Sequence, residues 1–184
     1  MSSTEKILVL AYPGIGKTYL AENFSNVVDF EMQRYAYTYD KDVLHLSFEK
    51  TKSMFDKRKP NLEWPGNLIK DIGEELKGDK VIVTCLIPKV YKALCEETDL
   101  ADTRIVLVIF DKEGFGELID RYRVRGNTEE YIGTRKADFA NTVKLFEADS
   151  KNEKVIVKPG EFLAEALIAH GIKLTPGKGT KNYF

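Results

Sequence analysis

The chain is short of several things, and each scarcity removes a class of explanation. It holds 2 cysteines, Cys85 and Cys95, and 2 histidines, His45 and His170, in 184 residues. Two thiols make no disulfide framework. Neither they nor the separated histidines have the spacing of a metal-ligand set, and Cys85, inside an apolar run, reads as a buried thiol. Charge of one sign is not in excess: 28 basic and 29 acidic side chains leave a net charge of −1. That gives no overall pull towards nucleic acid or an anionic membrane. Long apolar runs are missing too. None approaches the ~20 residues of a membrane-spanning helix, and the first, Lys6 to Leu10, is too short to read as a signal peptide. A reducing cytoplasm is the expected setting. No internal repeat, low-complexity tract or interdomain linker is present. With 43% hydrophobic residues, residues 1–184 read as one domain with a real core.

What is there centres on Ala11-Tyr12-Pro13-Gly14-Ile15-Gly16-Lys17-Thr18. A small residue, four of any kind, then Gly-Lys-Thr is the phosphate-loop pattern. The apolar run Ile7-Leu8-Val9-Leu10 before it reads as a buried strand. Residues 18–24 after it read as a helix with Leu20 and Phe24 on one face. Gly14 and Gly16 allow the backbone to wrap a phosphate, and successive N–H groups form an anion nest at the start of the helix. In this reading Pro13, Gly14, Ile15, Gly16, Lys17, Thr18 and Tyr19 bind ATP. Lys17 reaches the β- and γ-phosphates and the Thr18 hydroxyl ligates Mg²⁺. The competing reading is a tight glycine turn between a core strand and a helix. Ala11 stands where many such loops have glycine.

Further strands are expected at residues 26–31, 81–87, 104–110 and 154–157. Helices are expected around residues 44–48, at 65–76, 88–97, 112–125 and 128–146 (with a break at Gly133), and at 161–170. Lys57 to Asn61 reads as a basic, turn-rich break. The first five residues and residues 175–184 read as loose. Strands alternating with helices predict a three-layer α/β/α domain with a mainly parallel five-stranded sheet. In such a sheet ligands collect beyond the carboxyl ends of the strands.

That rule picks out the candidate chemistry. Asp29 and Glu31 alternate, so a strand puts both carboxylates on one side. They could hold Mg²⁺ through water, accept a hydrogen bond from a substrate hydroxyl, or form a solvated strand end. Arg121 and Arg125 share a helix face at i,i+4. They could clamp the charge that develops in phosphoryl transfer, or simply complement a helix C-terminus. Arg123 reads as solvated, and Arg135 is a further candidate. Asn61, Trp64 and Asn67 could form a base-binding turn, with Trp64 stacking, or a hydrophobic staple at a helix start. Asp111 ends an apolar strand as a magnesium-holding aspartate would, or starts a turn. One of the strands at 81–87 and 104–110 is expected beside the phosphate-loop strand, and the sequence does not say which. Tyr35, Tyr37 and Tyr39 alternate and read as half-buried packing.

Taken with Val28-Asp29-Phe30-Glu31, Asn61-Leu62-Glu63-Trp64-Pro65 and Arg121-Tyr122-Arg123-Val124-Arg125-Gly126-Asn127, the phosphate loop resembles that of the nucleoside and nucleotide kinase superfamily. The resemblance is to adenylate-kinase-like members, especially small kinase-like proteins of bacteriophages and prophages, over residues 6–170. It implies ATP and Mg²⁺ as cofactors, a (deoxy)nucleoside monophosphate as acceptor, and Arg121 and Arg125 as lid arginines in an element at 112–135. It also implies Lys158-Pro159-Gly160, hence Pro159, beside the donor base, and an acceptor region at 31–67. Adenylate kinases carry Asp-Gly-aromatic-Pro-Arg after the third strand, where this chain has Cys85-Leu86-Ile87-Pro88. The arginine that grips the acceptor phosphate has no clear counterpart, with Arg34 and Arg58 as candidates.

The reading is therefore an ATP-dependent phosphotransferase with Lys17, Arg121, Arg125 and Asp29 in catalysis, Thr18 and Asp29 at the metal, and Glu31, Arg34, Asn61, Trp64 and Asn67 at the acceptor. Its expected partners are nucleotide substrates, with no membrane or nucleic acid. The alternatives are a small-molecule alcohol or sugar kinase with Asp29 as base, and a nucleotide-binding regulator without transfer.

Overall fold

In the computed structural model, residues 5–51, 54–97, 100 and 102–177 are described. The most apolar runs become the centre of the sheet. β1 (Lys6–Ala11), β5 (Val81–Cys85) and β6 (Thr103–Phe110) lie side by side. β2 (Val27–Asp29) and β7 (Glu153–Val157) form the edges, giving the order β2-β5-β1-β6-β7. All four pairings are parallel. Leu8, Val9 and Leu10 are at most 1% exposed, as are Ile82, Val83, Val106, Leu107 and Val108. Each such side chain stabilises the fold by about 1.5–3 kcal/mol relative to exposure. A strand buried on both faces cannot alternate polar and apolar residues, which is why these runs read as continuous.

Parallel neighbours need crossover helices. α1 (Lys17–Asn23) follows β1 and packs against α8 (Leu163–Ala169), the last helix. α4 (Gly66–Glu75), α5 (Pro88–Cys95) and α7 (Glu129–Ala148) pack in sequence, α4 on α5 and α5 on α7. α6 (Phe115–Val124) joins α7 as a helical pair between β6 and β7. The result is the α/β/α arrangement that the alternation of strands and helices predicts, with the glycine-rich loop beyond the central strand.

Several expectations need correction. Both β5 and β6 border β1, so the phosphate-loop strand has two apolar neighbours rather than one. α7 runs unbroken through Gly133, where a side chain would meet only open space, so nothing there requires a turn. The run at 57–61 is partly strand: β4 (Arg58–Pro60) pairs antiparallel with β3 (Tyr37–Tyr39). α2 (Gln33–Ala36) leads into β3, and between the two strands lies α3 (Phe48–Thr51), a single turn that starts where the helix expected around 44–48 would end. The chain end is tied down as far as it is described. Ser25 N–H donates to Thr175 O at 2.8 Å, and Pro176 bridges Phe24. Residues 1–4 and 178–184, also read as loose, lie outside the described residues. Among the described residues, no helix is long and apolar enough to cross a membrane.

Candidate active site

The loop after β1 is fixed from both sides. Tyr12 N–H donates to Val108 O of β6 at 2.9 Å, and Leu86 N–H, just past β5, donates to Ala11 O at 3.0 Å. Gly14 and Gly16 then take φ of 89° and 114°, the left-handed region that side chains disfavour. A Cβ on Gly14 would also lie 2.3 Å from Tyr122 Cε1. Tyr122, buried in α6, donates its hydroxyl to Pro13 O at 2.5 Å. Tyr12 is equally buried and donates to Arg135 O in α7 at 2.6 Å. Burial pushes both phenols above their usual range, so both remain protonated donors. Sequence spacing gave no signal for these two tyrosines, because each closes a contact more than a hundred residues long.

Lys17 and Thr18 follow at the start of α1. Lys17 is 7% exposed, and its Nζ donates to Ala11 O at 3.4 Å. Thr18 Oγ1 donates to Asp29 Oδ2 at 3.2 Å. Asp29 is held at the rim because its strand is clamped to β5. Phe30 N–H donates to Val83 O at 2.8 Å, and the buried Thr84 hydroxyl donates to Phe30 O at 2.9 Å. The other carboxylate oxygen, Asp29 Oδ1, is buried with no hydrogen-bond partner. Burial raises the Asp29 pKa, with Lys17 acting in the opposite direction and Glu31 adding to the rise. Cys85, at the end of β5, is the buried thiol expected, its pKa pushed up by burial.

Two clefts flank α1. One, of about 530 Å³, is lined by Thr18, Glu22, Asp29, Glu31, Arg34 and Phe48, among others. Arg34 stacks on the Phe48 ring at 4.4 Å. Among the described residues Glu22, Glu31 and Arg34 have no ion-pair partner. The other cleft, of about 430 Å³, runs from Ile15, Gly16 and Tyr19 to Arg121, Arg125 and Phe162. The phosphate loop thus separates an acid-rich cleft from an apolar one.

No protein-family model matches the sequence, and neither does any curated protein. Among solved structures, a gluconokinase from Sinorhizobium meliloti 1021 has a similar chain trace, with a TM-score of 0.49 and 19% identity over 90% of this chain and 88% of that one. A likeness of that size assigns no substrate and no residue role.

The remaining candidates divide. Arg121 and Arg125 both border the apolar cleft. Arg121, however, is engaged: its guanidinium pairs with Glu117 at 2.6 Å, donates to Glu161 O at 3.2 Å and lies over Phe110 and Phe162. Glu117, four residues earlier on the same helix, was legible as an i,i+4 partner. Arg125 has no partner among the described residues. Arg123, read as solvated, pairs with Asp120 and Glu129. Arg135 pairs with Asp138 at 2.7 Å, while its Nε is buried without a partner.

Asn61 and Asn67 are engaged within the protein. Both side-chain amides donate to Tyr35 O, at 2.9 and 3.2 Å, fastening the loop to α2. Trp64 has Lys89 Nζ over its ring at 4.1 Å, leaving that face covered. It borders neither cleft beside the phosphate loop. Arg58 lies between the rings of Tyr37 and Phe55 at 4.0 and 4.3 Å and is likewise away from the acid-rich cleft. Pro159 packs against Gly114, where a Cβ would come within 2.2 Å of its Cγ, so Phe162 and Leu163 border the apolar cleft in its place. Asp111 is a turn starter: its Oδ1 accepts from Glu113 N–H and Gly114 N–H at 2.8 and 3.3 Å.

Proposed function

We propose that this protein is a phosphotransferase that moves the γ-phosphoryl group of ATP to a hydroxyl group of a small molecule. The observation that carries the reading is Asp29: a carboxylate tied to the phosphate-loop threonine, with a second oxygen unpartnered, lining a cleft beside the loop. The backbone N–H groups of residues 14–18 cradle the triphosphate, and Lys17 neutralises its outer phosphates. The acceptor lies in the acid-rich cleft. Its hydroxyl oxygen attacks the γ-phosphorus, the bond from that phosphorus to the β–γ bridging oxygen breaks, and ADP leaves. The hydroxyl proton goes to Asp29. Burial raises the Asp29 pKa, with Lys17 opposing, the direction that makes the carboxylate a better proton acceptor. Arg125, unpaired at the other side of the loop, stabilises the charge that develops on the phosphoryl oxygens.

The residues present fit a magnesium ion. Thr18 Oγ1 directs its hydroxyl hydrogen to Asp29 Oδ2 and so keeps its lone pairs for a cation, while Asp29 Oδ1, without a partner, is left for the acceptor hydroxyl. When bound with the triphosphate, the ion neutralises charge on the β- and γ-phosphates. Among the described residues there is no cluster of His, Cys, Asp and Glu that would hold a metal by itself. Magnesium carried in by a nucleotide and a hydroxyl needs no such cluster.

A second reading keeps a nucleoside monophosphate as acceptor, and Arg34 is the observation that favours it. A monophosphate needs no base, but it needs cations, and the cleft sets Arg34 against Glu22, Asp29 and Glu31. That balance favours a polyhydroxylated acceptor over a dianionic one.

A coupled ADP-release assay tests the reading, with ATP and Mg²⁺ against sugars, polyols, sugar acids and nucleoside monophosphates, and Lys17→Ala as control. Release that depends on a hydroxyl compound and vanishes in the control is the expected result. Release with monophosphates alone selects the second reading. ATP binding with no acceptor-dependent release makes the protein a nucleotide-binding regulator.

A further inference from the structure

The acid-rich cleft holds more negative charge than the phosphoryl transfer uses. Its walls carry three carboxylates, Glu22, Asp29 and Glu31, against one cation, Arg34. Asp29 is spoken for: Oδ2 accepts from Thr18, and Oδ1 is left for the acceptor hydroxyl. Arg34 lies over the Phe48 ring and offsets one charge. Glu22 and Glu31 have no ion-pair partner among the described residues. Carboxylates that line a cleft lose water when a ligand enters, and that costs free energy unless the ligand brings a cation to them.

The nucleotide does not supply that cation. Mg²⁺, Lys17 and Arg125 are set against its own phosphates. A bare metal ion does not fit either, because no group of three His, Cys, Asp or Glu side chains among the described residues could hold one. The acids are spread out instead. Glu22 shares a face of α1 with Thr18, one turn further on. Glu31 follows Asp29 by two residues, roughly 6.6 Å in an extended chain. The unmatched charge therefore stands a few bonds away from the place of the reacting hydroxyl, on both walls of the cleft. Other wall residues are aromatic: Phe30 and Tyr35 stack with centroids 6.0 Å apart, and Phe48 lies under Arg34. Ring faces attract ammonium groups and carboxylates pair with them, so together they favour a cation over a neutral polyol. A sugar acid or a monophosphate has the wrong sign.

We propose that the acceptor is an amine-bearing alcohol, an aminosugar or amino alcohol, whose ammonium group pairs with Glu31 and Glu22 while its hydroxyl meets Asp29. The proposal rests on the phosphotransferase reading and names its acceptor class. The amine stays protonated and is not the nucleophile. The hydroxyl oxygen bonds to the γ-phosphorus, its proton goes to Asp29, and ADP leaves, so the product is a phosphate monoester that keeps its ammonium group.

The ADP-release assay tests this with matched pairs that differ by one amine: glucosamine and glucose, galactosamine and galactose, serinol and glycerol, 2-aminoethanol and ethylene glycol. At least one amine is expected to exceed its neutral partner in kcat/KM by about tenfold or more, the weight of a charge-assisted hydrogen bond. Glu31→Gln is expected to raise KM for that amine by about tenfold, and Glu22→Gln, at an exposed position, by about threefold. Both should leave kcat, ATP affinity by calorimetry and the rate with the neutral partner nearly unchanged. Neutral members used as well as their amine partners overturn the proposal. So do an unchanged KM in Glu31→Gln, an equal loss with amine and neutral partner, and release confined to neutral or anionic acceptors. Each of these leaves the phosphotransferase reading standing. No release with any acceptor overturns both.

Discussion

Thr18 Oγ1 donates to Asp29 Oδ2 at 3.2 Å, joining the first turn of α1 to the end of β2 across the mouth of the acid-rich cleft. The contact makes one carboxylate answer to both halves of the site. It is oriented by the loop that would hold the triphosphate and stands where an acceptor would enter.

Asp29→Asn separates function from stability. Burial raises the Asp29 pKa, with Lys17 opposing. A carboxyl with a folded pKa above its unfolded value of ~3.9 binds more protons folded than unfolded between the two. Its contribution to stability therefore falls as pH rises through that window. The asparagine variant lacks this penalty and can still accept from Thr18. Its Tm is expected to exceed the parent's at pH 7, with the difference shrinking as pH falls towards 4. Turnover is expected to drop by about 10²–10⁴-fold, the usual weight of a general base. Thermal melts across pH, beside the ADP-release assay, check both. A variant that is no more stable at neutral pH, or is fully active, contradicts the account.

Gly14→Ala tests the loop's dependence on its glycine. The left-handed φ of 89° and the approach of Tyr122 both oppose a side chain. The backbone strain alone costs about 1–3 kcal/mol. In a chain of this size each kcal/mol lowers Tm by about 2–4 °C. Denaturant titration is expected to show the loss, and calorimetry a matching loss of ATP binding.

Arg121 and Arg125 are expected to behave differently although they share a helix face. Arg121→Ala removes the Glu117 pair and the Glu161 carbonyl contact and uncovers two aromatic rings. It should lower Tm. Arg125→Ala removes no side-chain hydrogen bond or ion pair among the described residues and should leave Tm unchanged while reducing turnover at intact ATP affinity. Equal effects of the two substitutions on Tm would contradict this division.

Away from the site, Asp149 closes the turn between α7 and β7. Burial opposes its charge. The Tyr91 hydroxyl, the Asn152 N–H and side chain, and the Lys151 N–H outweigh that and hold its pKa below the usual carboxylate range. A depressed folded pKa gives stability that is present above the unfolded pKa and lost as pH falls through the folded one. Asp149→Ala is expected to cost about 1–3 kcal/mol, since it leaves several half-buried donors unpaired. The loss should shrink in acid, and nucleotide affinity should not change. Denaturant melts at pH 7 and pH 3 check it.

What the sequence showed was what short spacing encodes. The phosphate loop, the flanking strand and helix, and the apolar runs of β1, β5 and β6 all lie within a dozen residues and carry their own periodicity. The place of Asp29 at the rim was legible because it ends a short strand expected beside the loop. What escaped was set by distant partners. The Tyr12 and Tyr122 contacts span 123 and 109 residues. Asn61 and Asn67 looked free until Tyr35 O, 26 and 32 residues earlier, took both amides. β4, three residues with a proline, is too short for any pattern to declare it a strand. Its partner β3 contributes alternating tyrosines that packing alone would also explain.

The most direct test is the chemical form of the product. The protein is incubated with ATP, Mg²⁺ and the acceptor that gives ADP release, and the product is examined by ³¹P NMR. The account predicts a phosphate monoester, a single resonance without phosphorus–phosphorus coupling, that is absent with Asp29→Asn. A coupled pair of resonances from a nucleoside diphosphate, formed equally well by Asp29→Asn, would contradict it.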